Sequence, residues 1–377
     1  MKSSIEKIAL AHHWLVSQRG GENVFAEFCR IFPKAPIYTL LKAKNMNALD
    51  PAIAKRNIHT SFLGRLPLGH KIYKLLLPLY PSFVGSIDVK DKFDILLSSD
   101  ASVLKGMRKA KNVKQICYCH SPPRYIWDLS EEYINSFNWL KASLFKACIP
   151  YLRRFDLLAA KNVDYFIANS TYVQKRIKET YDRESVVIYP PVDLKDFTRS
   201  NESDDYFLIV SALVPYKRID LAVDAFSKAD RKLVIIGDGS ELQKLKKRAP
   251  DNVKFLGRQP KSVLVDHYKK CKAFVFPGVE DFGITPLEAQ ACGKPVIAYA
   301  EGGALETVID NKTGIFFENQ TVESLVDALR KFDETNFDPI HCRRNAERFG
   351  TERFRAEILD FVKSKCIGKL IQEIEKT

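Results

Sequence analysis

The chain has no apolar run long enough to cross a bilayer. Its longest stretch without a charged residue, Leu75 to Ile87, is interrupted by Pro78 and Pro81 and falls well short of the roughly 20 apolar residues of a spanning helix. The amino terminus, MKSSIEKIALAHHWLV, has neither a clean apolar segment nor a small-residue cleavage site, so no secretory signal is expected and the chain reads as soluble and cytosolic. Cysteine is sparse, with eight residues at 29, 117, 119, 148, 271, 292, 342 and 366. They are scattered through apolar runs, which points to reduced, buried thiols rather than a disulfide framework. Cys117-Tyr-Cys119-His120 has no second Cys/His pair at zinc-like spacing, and its alternation fits a buried strand better than a metal site. The G-x-G-x-x-G fingerprint of dinucleotide-binding domains is missing, and no low-complexity segment or short-period repeat appears.

What the chain does have is positive charge. Lys+Arg 59 against Asp+Glu 46 gives +13 over 377 residues, a balance suited to nucleic acid, an anionic membrane face or an anionic small molecule. Hydrophobic content of 46% beside 28% charged residues excludes wholesale disorder, and the length predicts two domains. Short apolar runs alternate with amphipathic stretches. KIALAHHWL, APIYTLL, FDILLSS, KQICYCH, VDYFIAN and SVVIYP read as strands in the first half. YFLIVSA, KLVIIG, VKFLG, AFVFPG, KPVIAYA and TGIFF do so in the second. Helices are expected near 22–31, 170–181, 217–228, 240–249 and 321–333. Such alternation predicts parallel, doubly wound α/β sheets, and twelve strands are too many for one open sheet. The boundary falls at Tyr189-Pro190-Pro191-Val192-Asp193, where Pro-Pro stops one element and a polar stretch precedes the next. Domains are therefore expected at 1–190 and 191–350, followed by a helical tail over 351–377.

Five places look chemical. Gly20-Gly21-Glu22 follows the first strand and opens a helix, where a loop approaches a ligand closely and free N–H groups meet an anion. Gly237-Asp238-Gly239 reads as a turn, because Leu242 stands where a third glycine would be needed. Lys217 and Arg218 follow the strand YFLIVSA at the end where open α/β sheets bind ligands, and both suit a diphosphate. In the segment from Glu280 to Glu288, Thr285 is expected as N-cap, Pro286 as first helical residue and Glu288 as the other half of a capping box. Glu280 has no such structural explanation; with Gly283 it lines a loop ready for a hydroxyl-rich, negatively charged ligand. His120 ends a strand, with Arg124 and Asp128 close behind.

These segments together resemble the retaining GT-B glycosyltransferases of family 4, over nearly the whole chain. The matching pieces are the Gly20-Gly21 loop, HSPPRYIWD, ANSTYVQKRI, YPPVD, LVPYKRID, IIGDGSEL, the E-x7-E segment from Glu280 to Glu288, and AEGGALETV. The resemblance implies two Rossmann-like doubly wound domains facing a central cleft, an acceptor-binding one over 1–190 and a donor-binding one over 191–350. It also implies a C-terminal helix crossing back onto the first domain. By motif, Glu280 would hold hydroxyls of the donor sugar and Glu288 the nucleotide ribose. The backbone at Phe282, Gly283 and Ile284 would face sugar and diphosphate, and Lys217 would bind the diphosphate. His120 would contact the transferring sugar, Gly20 and Gly21 would underlie phosphate and acceptor, and His13, Arg124 and Asp128 would line the acceptor side. The family usually carries an arginine where this chain has Ala212, and a glycine where it has Arg218, so Arg218 is expected to supply the missing cation. No cofactor is implied beyond the nucleotide-diphosphate sugar as co-substrate. No metal is expected either, since the sequence has no Asp-x-Asp motif and the adjacent pair Asp204-Asp205 lies in the linker.

The expected donor is GDP-mannose, with a UDP-sugar second. The expected acceptor is a lipid-diphosphate-linked or oligosaccharide chain of a surface polysaccharide. Residues 63–87, with Arg65, Lys71 and Lys74, and residues 138–154 are basic and amphipathic, either ordinary surface helices or segments lying on an anionic membrane at the inner face of the plasma membrane. No nucleic-acid-reading module appears, so nucleic acid is not an expected partner. A non-catalytic GT-B-like binding protein is the rival reading, supported by Ala212 alone.

Overall fold

Runs of four to six apolar residues bounded by proline, glycine or charge are short enough to form strands buried on both faces. The computed structural model describes residues 7–66, 73–135 and 137–374, with side chains described to 66, from 76 to 135 and from 137 to 366. Lys71 and the side chain of Lys74 lie outside the described residues.

Two compact units emerge, one of residues 1–190 with 352–377 and one of 191–351. The first is built on β1 (Ile8–His12), β2 (Ile37–Thr39), β3 (Ile58–Thr60), β4 (Asp88–Val89), β5 (Ile95–Asp100), β6 (Arg108–Lys109), β7 (Lys114–Cys119), β8 (Tyr165–Ala168) and β9 (Ser185–Val187). Seven of these form one sheet in the order β3-β2-β1-β5-β7-β8-β9, and β4 pairs with β6 apart from it. The second unit holds β10 (Phe207–Val210), β11 (Leu233–Ile236), β12 (Val253–Gly257), β13 (Ala273–Phe276), β14 (Val296–Tyr299) and β15 (Gly314–Phe317), ordered β12-β11-β10-β13-β14-β15.

Every ladder in both sheets is parallel. All twelve expected strands are present, and the doubly wound reading holds. Short β3, β4 and β6 carried too little apolar pattern to be expected. In each sheet the winding reverses once, between β1 and β5 and between β10 and β13, and such a reversal opens a crevice at the carboxyl ends of the strands.

Each unit has its own core. Ile209, Val223, Phe226, Ile235 and Leu329 are among the residues that fill the second. In the first, Phe28 and Tyr118 pack on Phe354 from the C-terminal helix, Thr351–Ile374, with Phe28 and Phe354 stacked at 5.8 Å. Ile358 and Val362, one and two turns on, are fully buried in the same core, and Arg355 reaches Glu27 at 2.5 Å. The helix thus completes the first core, although about 160 residues of the other unit separate it in sequence. Replacing Phe354 with alanine empties an aromatic site and should cost about 3–5 kcal/mol. The expected outcome is a lower denaturant midpoint for the first unit alone, followed by urea unfolding with probes in each unit.

Candidate functional site

In the first unit the chemistry gathers where β1 and β5 meet. Parallel register sets His12 opposite Ser99 across the reversal point, and His120 follows β7 directly. The Ser99 hydroxyl lies 3.0 Å from His12 Nδ1 and 2.7 Å from His120 Nε2. One hydroxyl proton can be donated to only one of these nitrogens, so the other imidazole must present its own N–H to Ser99. His12 Nε2 has no hydrogen bond and lies 3.7 Å from Glu22 Oε1. His13 contributes Nδ1, 3.4 Å from the Ser99 carbonyl.

Gly20 and Gly21 open the helix Gly20–Ile31 beside this cluster. A Cβ at Gly21 would sit 3.5 Å from His12 Cε1 and 3.7 Å from His120 Nε2, so any side chain beyond a methyl would cover the imidazole edges. Glu22, buried in the first helical turn, accepts the Arg19 backbone N–H at 3.1 Å.

Burial pushes the imidazoles of His12 and His120 down to about 3 and that of His13 to about 4, so all three are neutral at pH 7. Burial also raises the Glu22 carboxyl. Beneath them, Asp100 accepts the backbone N–H groups of Ser102 and Lys105, and its own carbonyl accepts the N–H of His120 at 2.9 Å. Lys105, 1% exposed, reaches Asp156 at 2.9 Å and Asp100 at 3.4 Å. Burial opposes the charges of Asp100 and Lys105, yet Lys105 holds the Asp100 carboxyl below its ordinary range, and the two acids beside it keep Lys105 protonated.

The segment after His120 is tied down by ion pairs. Asp128 is held between Arg124, at 3.0 Å, and Arg176, which also donates to Ser121 at 2.5 Å. Asn169 donates to the His120 carbonyl at 3.0 Å.

In the second unit the corresponding strand ends carry Lys217, after β10, and Glu280, after β13, joined as an ion pair. Their turns touch: a Cβ at Gly278 would lie 2.8 Å from the backbone of Lys217, so only glycine allows the approach. Arg218 adopts φ 52, the left-handed region that favours glycine. Its guanidinium donates to Gln320 at 3.1 Å and to Asp220 at 3.3 Å.

One expectation fails here. The helix after Glu280 runs Ile284–Ala291 with Gly283 as N-cap at φ 95, and no side chain caps it. Thr285 is therefore inside the helix, Pro286 is its third residue, and no capping box forms. Left-handed Gly283 starts the helix earlier than Thr285 could. Glu288, freed from capping, accepts the Tyr268 hydroxyl at 2.9 Å, and burial pushes its carboxyl up to about 7. The Glu280 carbonyl accepts the Gly303 N–H at 2.8 Å, and a Cβ on Gly303 would collide with the Phe282 backbone. The AEGG turn thus braces the loop from Glu280 to Gly283.

The sequence pattern did not single out His12, Ser99, the Lys105 network or Arg176, and it marked Glu22 only as part of the Gly20-Gly21-Glu22 loop. The signals were a His-His pair and a Ser-Ser-Asp run, each at the polar end of an apolar strand.

Residues 20–196 match the family model described as Glycosyltransferase Family 4, and residues 193–349 the one described as Glycosyl transferases group 1. An uncharacterized glycosyltransferase of Methanocaldococcus jannaschii is 31% identical over 182 residues, 47% of this chain and 52% of that protein. The alpha-1,3/1,6-mannosyltransferase ALG2 of Dictyostelium discoideum is 28% identical over 72% of this chain and 73% of its own length. A GDP-mannose-dependent mannosyltransferase of Corynebacterium glutamicum, acting on a monoacylated phosphatidylinositol monomannoside, is 33% identical over 44% of this chain and 52% of its length. The matches thus span about half the length of the archaeal and corynebacterial relatives. In fold, the crystal structure of Anabaena HepE in complex with UDP aligns with a TM-score of 0.69 at 17% identity, over 94% of this chain and all of the other.

The histidine cluster dictates a pH response. Below the ordinary imidazole value of 6.5 the unfolded chain binds protons that the folded state refuses, so the first unit loses stability as pH falls from about 6.5 toward 3. His12→Gln should flatten that slope, read as the urea midpoint of the first unit between about pH 6.5 and 4.

Proposed function

We propose, for a chain that belongs to the family 4 glycosyltransferases and folds as a GT-B enzyme, retaining transfer of a hexose from a nucleoside diphosphate to a hydroxyl of a lipid-linked or growing polysaccharide acceptor. Mannose from GDP-mannose is the leading donor, an assignment supported by the mannosyltransferase relatives. The observation that carries the reading is the Lys217–Glu280 pair at the reversal point of the second sheet, beside a helix start that no side chain caps.

In this reading the bond between the anomeric carbon and the diphosphate breaks, and a bond to the acceptor oxygen forms on the same face. The acceptor proton passes to the departing phosphate oxygen. Lys217 and Arg218 take up the charge that develops on the diphosphate, with the N–H groups around Gly283, in positions already set before reaction. Glu280 exchanges its lysine partner for sugar hydroxyls, and Glu288 takes the ribose. His120, neutral and held by Ser99, contributes a hydrogen bond to the transferring sugar rather than a positive charge. Gly20 and Gly21 leave room at the acceptor, which His13 also faces. Arg124 and Asp128, bonded to each other, shape that side without offering a free charge pair. No helix among the described residues is long and apolar enough to cross a membrane; the proposed place of action is the cytoplasmic face of the membrane carrying the acceptor.

GDP-mannose and a panel of UDP-sugars, assayed for donor hydrolysis and transfer, test the proposal. Lys217→Ala should lower kcat by about 10²–10³ with the preferred donor, and Glu280→Ala should abolish turnover. Hydrolysis of no donor, with no thermal protection by GDP or UDP, would overturn the enzyme reading.

Glu288 adds a prediction of opposite sign for stability. Its folded value of about 7 lies above the ordinary 4.5, so folding favours the protonated acid and stability is lost as pH rises between the two. Glu288→Gln should therefore raise the thermal midpoint of the second unit at pH 8 and leave it unchanged at pH 4, while weakening nucleotide binding, read by calorimetric titration with GDP.

A further inference from the structure

The helix Trp139–Lys161 has two apolar faces and only one of them is used. Phe145, Ile149 and Leu152 are buried against Ile126 and Leu77. On the other side Leu140 is 62% exposed, Leu144 64%, Tyr151 52% and Leu158 52%, with Ala147 also exposed. At 3.6 residues per turn these five fall within about 60° of arc, one continuous stripe along the helix. Trp139, 79% exposed, stands at its start.

Charge says what covers the stripe. Arg154 and Lys161 run along one border and Lys141 lies beyond the other, with Lys146 further round; all four are exposed and pair with no carboxylate among the described residues. The one acid of the helix, Asp156, is fully buried and bonded to Lys105, Trp127 and Tyr181. The nearest exposed acids before the helix, Glu131 and Glu132, belong to the preceding short helix Ser130–Asn135. A second copy docking stripe to stripe would set these like charges against each other. An anionic lipid surface matches them, taking the leucines into its acyl boundary and the cations, tryptophan and tyrosine at headgroup level.

We infer that the outward face of Trp139–Lys161 is a membrane-docking surface, on which the first unit lies flat on anionic phospholipid. This inference stands apart from the donor chemistry and holds whichever sugar is transferred.

The test is co-sedimentation of the full-length protein with vesicles of equal parts phosphatidylglycerol and phosphatidylcholine, alongside vesicles of phosphatidylcholine alone. Wild type should bind the anionic vesicles more tightly, with a blue shift of tryptophan emission, and salt should weaken binding. The triple change Leu140→Gln, Leu144→Gln and Leu158→Gln, and separately Lys141→Gln, Arg154→Gln and Lys161→Gln, should each weaken binding about tenfold or more. Because all six side chains are exposed, circular dichroism and the thermal midpoint should match wild type, and donor hydrolysis in detergent should persist. Undiminished vesicle binding by the leucine variant would overturn the inference. So would a wild-type dimer that the same variant converts to monomer, since the stripe would then belong to a second copy.

Discussion

Parallel pairing is the constraint from which the rest follows. In both sheets every strand points the same way, so all carboxyl ends lie on one edge, and the single reversal of winding leaves a gap there between two central strands. His12 and Ser99 are partners across that gap in the first unit. Lys217 and Glu280 leave the corresponding pair of strands in the second. Side chains with chemistry are thereby concentrated at two strand edges, while the interiors of the same strands are occupied by Leu, Ile, Val, Phe and Ala.

Holding polar groups at such an edge requires support from below. In the first unit Lys105 is buried with Asp100 and Asp156, and Trp127 and Tyr181 both donate to Asp156 Oδ2. Desolvating three charges costs several kcal/mol per ion, which their mutual attraction offsets only in good geometry. Hydrophobic residues could fill the same volume at no such cost. What the ions add is a fixed position for the end of β5, whose Asp100 carbonyl holds His120 and whose Ser99 hydroxyl joins two imidazoles. The second unit uses glycines for the same purpose. Gly278 and Gly303 let separate turns approach to backbone contact, and the loop carrying Glu280 is set by that packing. The two methods differ because the imidazoles of the first cluster are neutral and need alignment, whereas the second site carries opposite charges already paired with each other.

Much of the fold was legible because strands buried on both faces are written as uninterrupted apolar runs, and twelve of them could be counted. The strands that escaped, β3, β4 and β6, are two or three residues long and partly polar. The start of the helix at Ile284 was misjudged because Thr285-Pro286 is a good local signal, while the left-handed turn at Gly283, which wins, is a backbone conformation seen only in the folded loop. Among the candidate site residues, those set in strong local motifs, His120, Lys217, Glu280 and Glu288, stood out in the sequence. Ser99 was not, because a serine ending an apolar strand has a meaning only beside His12 and His120.

The sequence alone determined the α/β class, the division near Pro190-Pro191 and the family resemblance, because periodicity, proline and motif spacing are local properties of a chain. It also determined that residues 138–154 are basic and amphipathic. Which of the apolar residues there face the core and which face outward was decided by the tertiary structure. So were the bridge from His12 through Ser99 to His120, the pairing of Lys217 with Glu280, and the capture of the last helix by the first core. The physical reason is common to all of these: burial and hydrogen-bond partnership are relations between residues far apart in the chain, and they exist only once the sheets have brought those residues together.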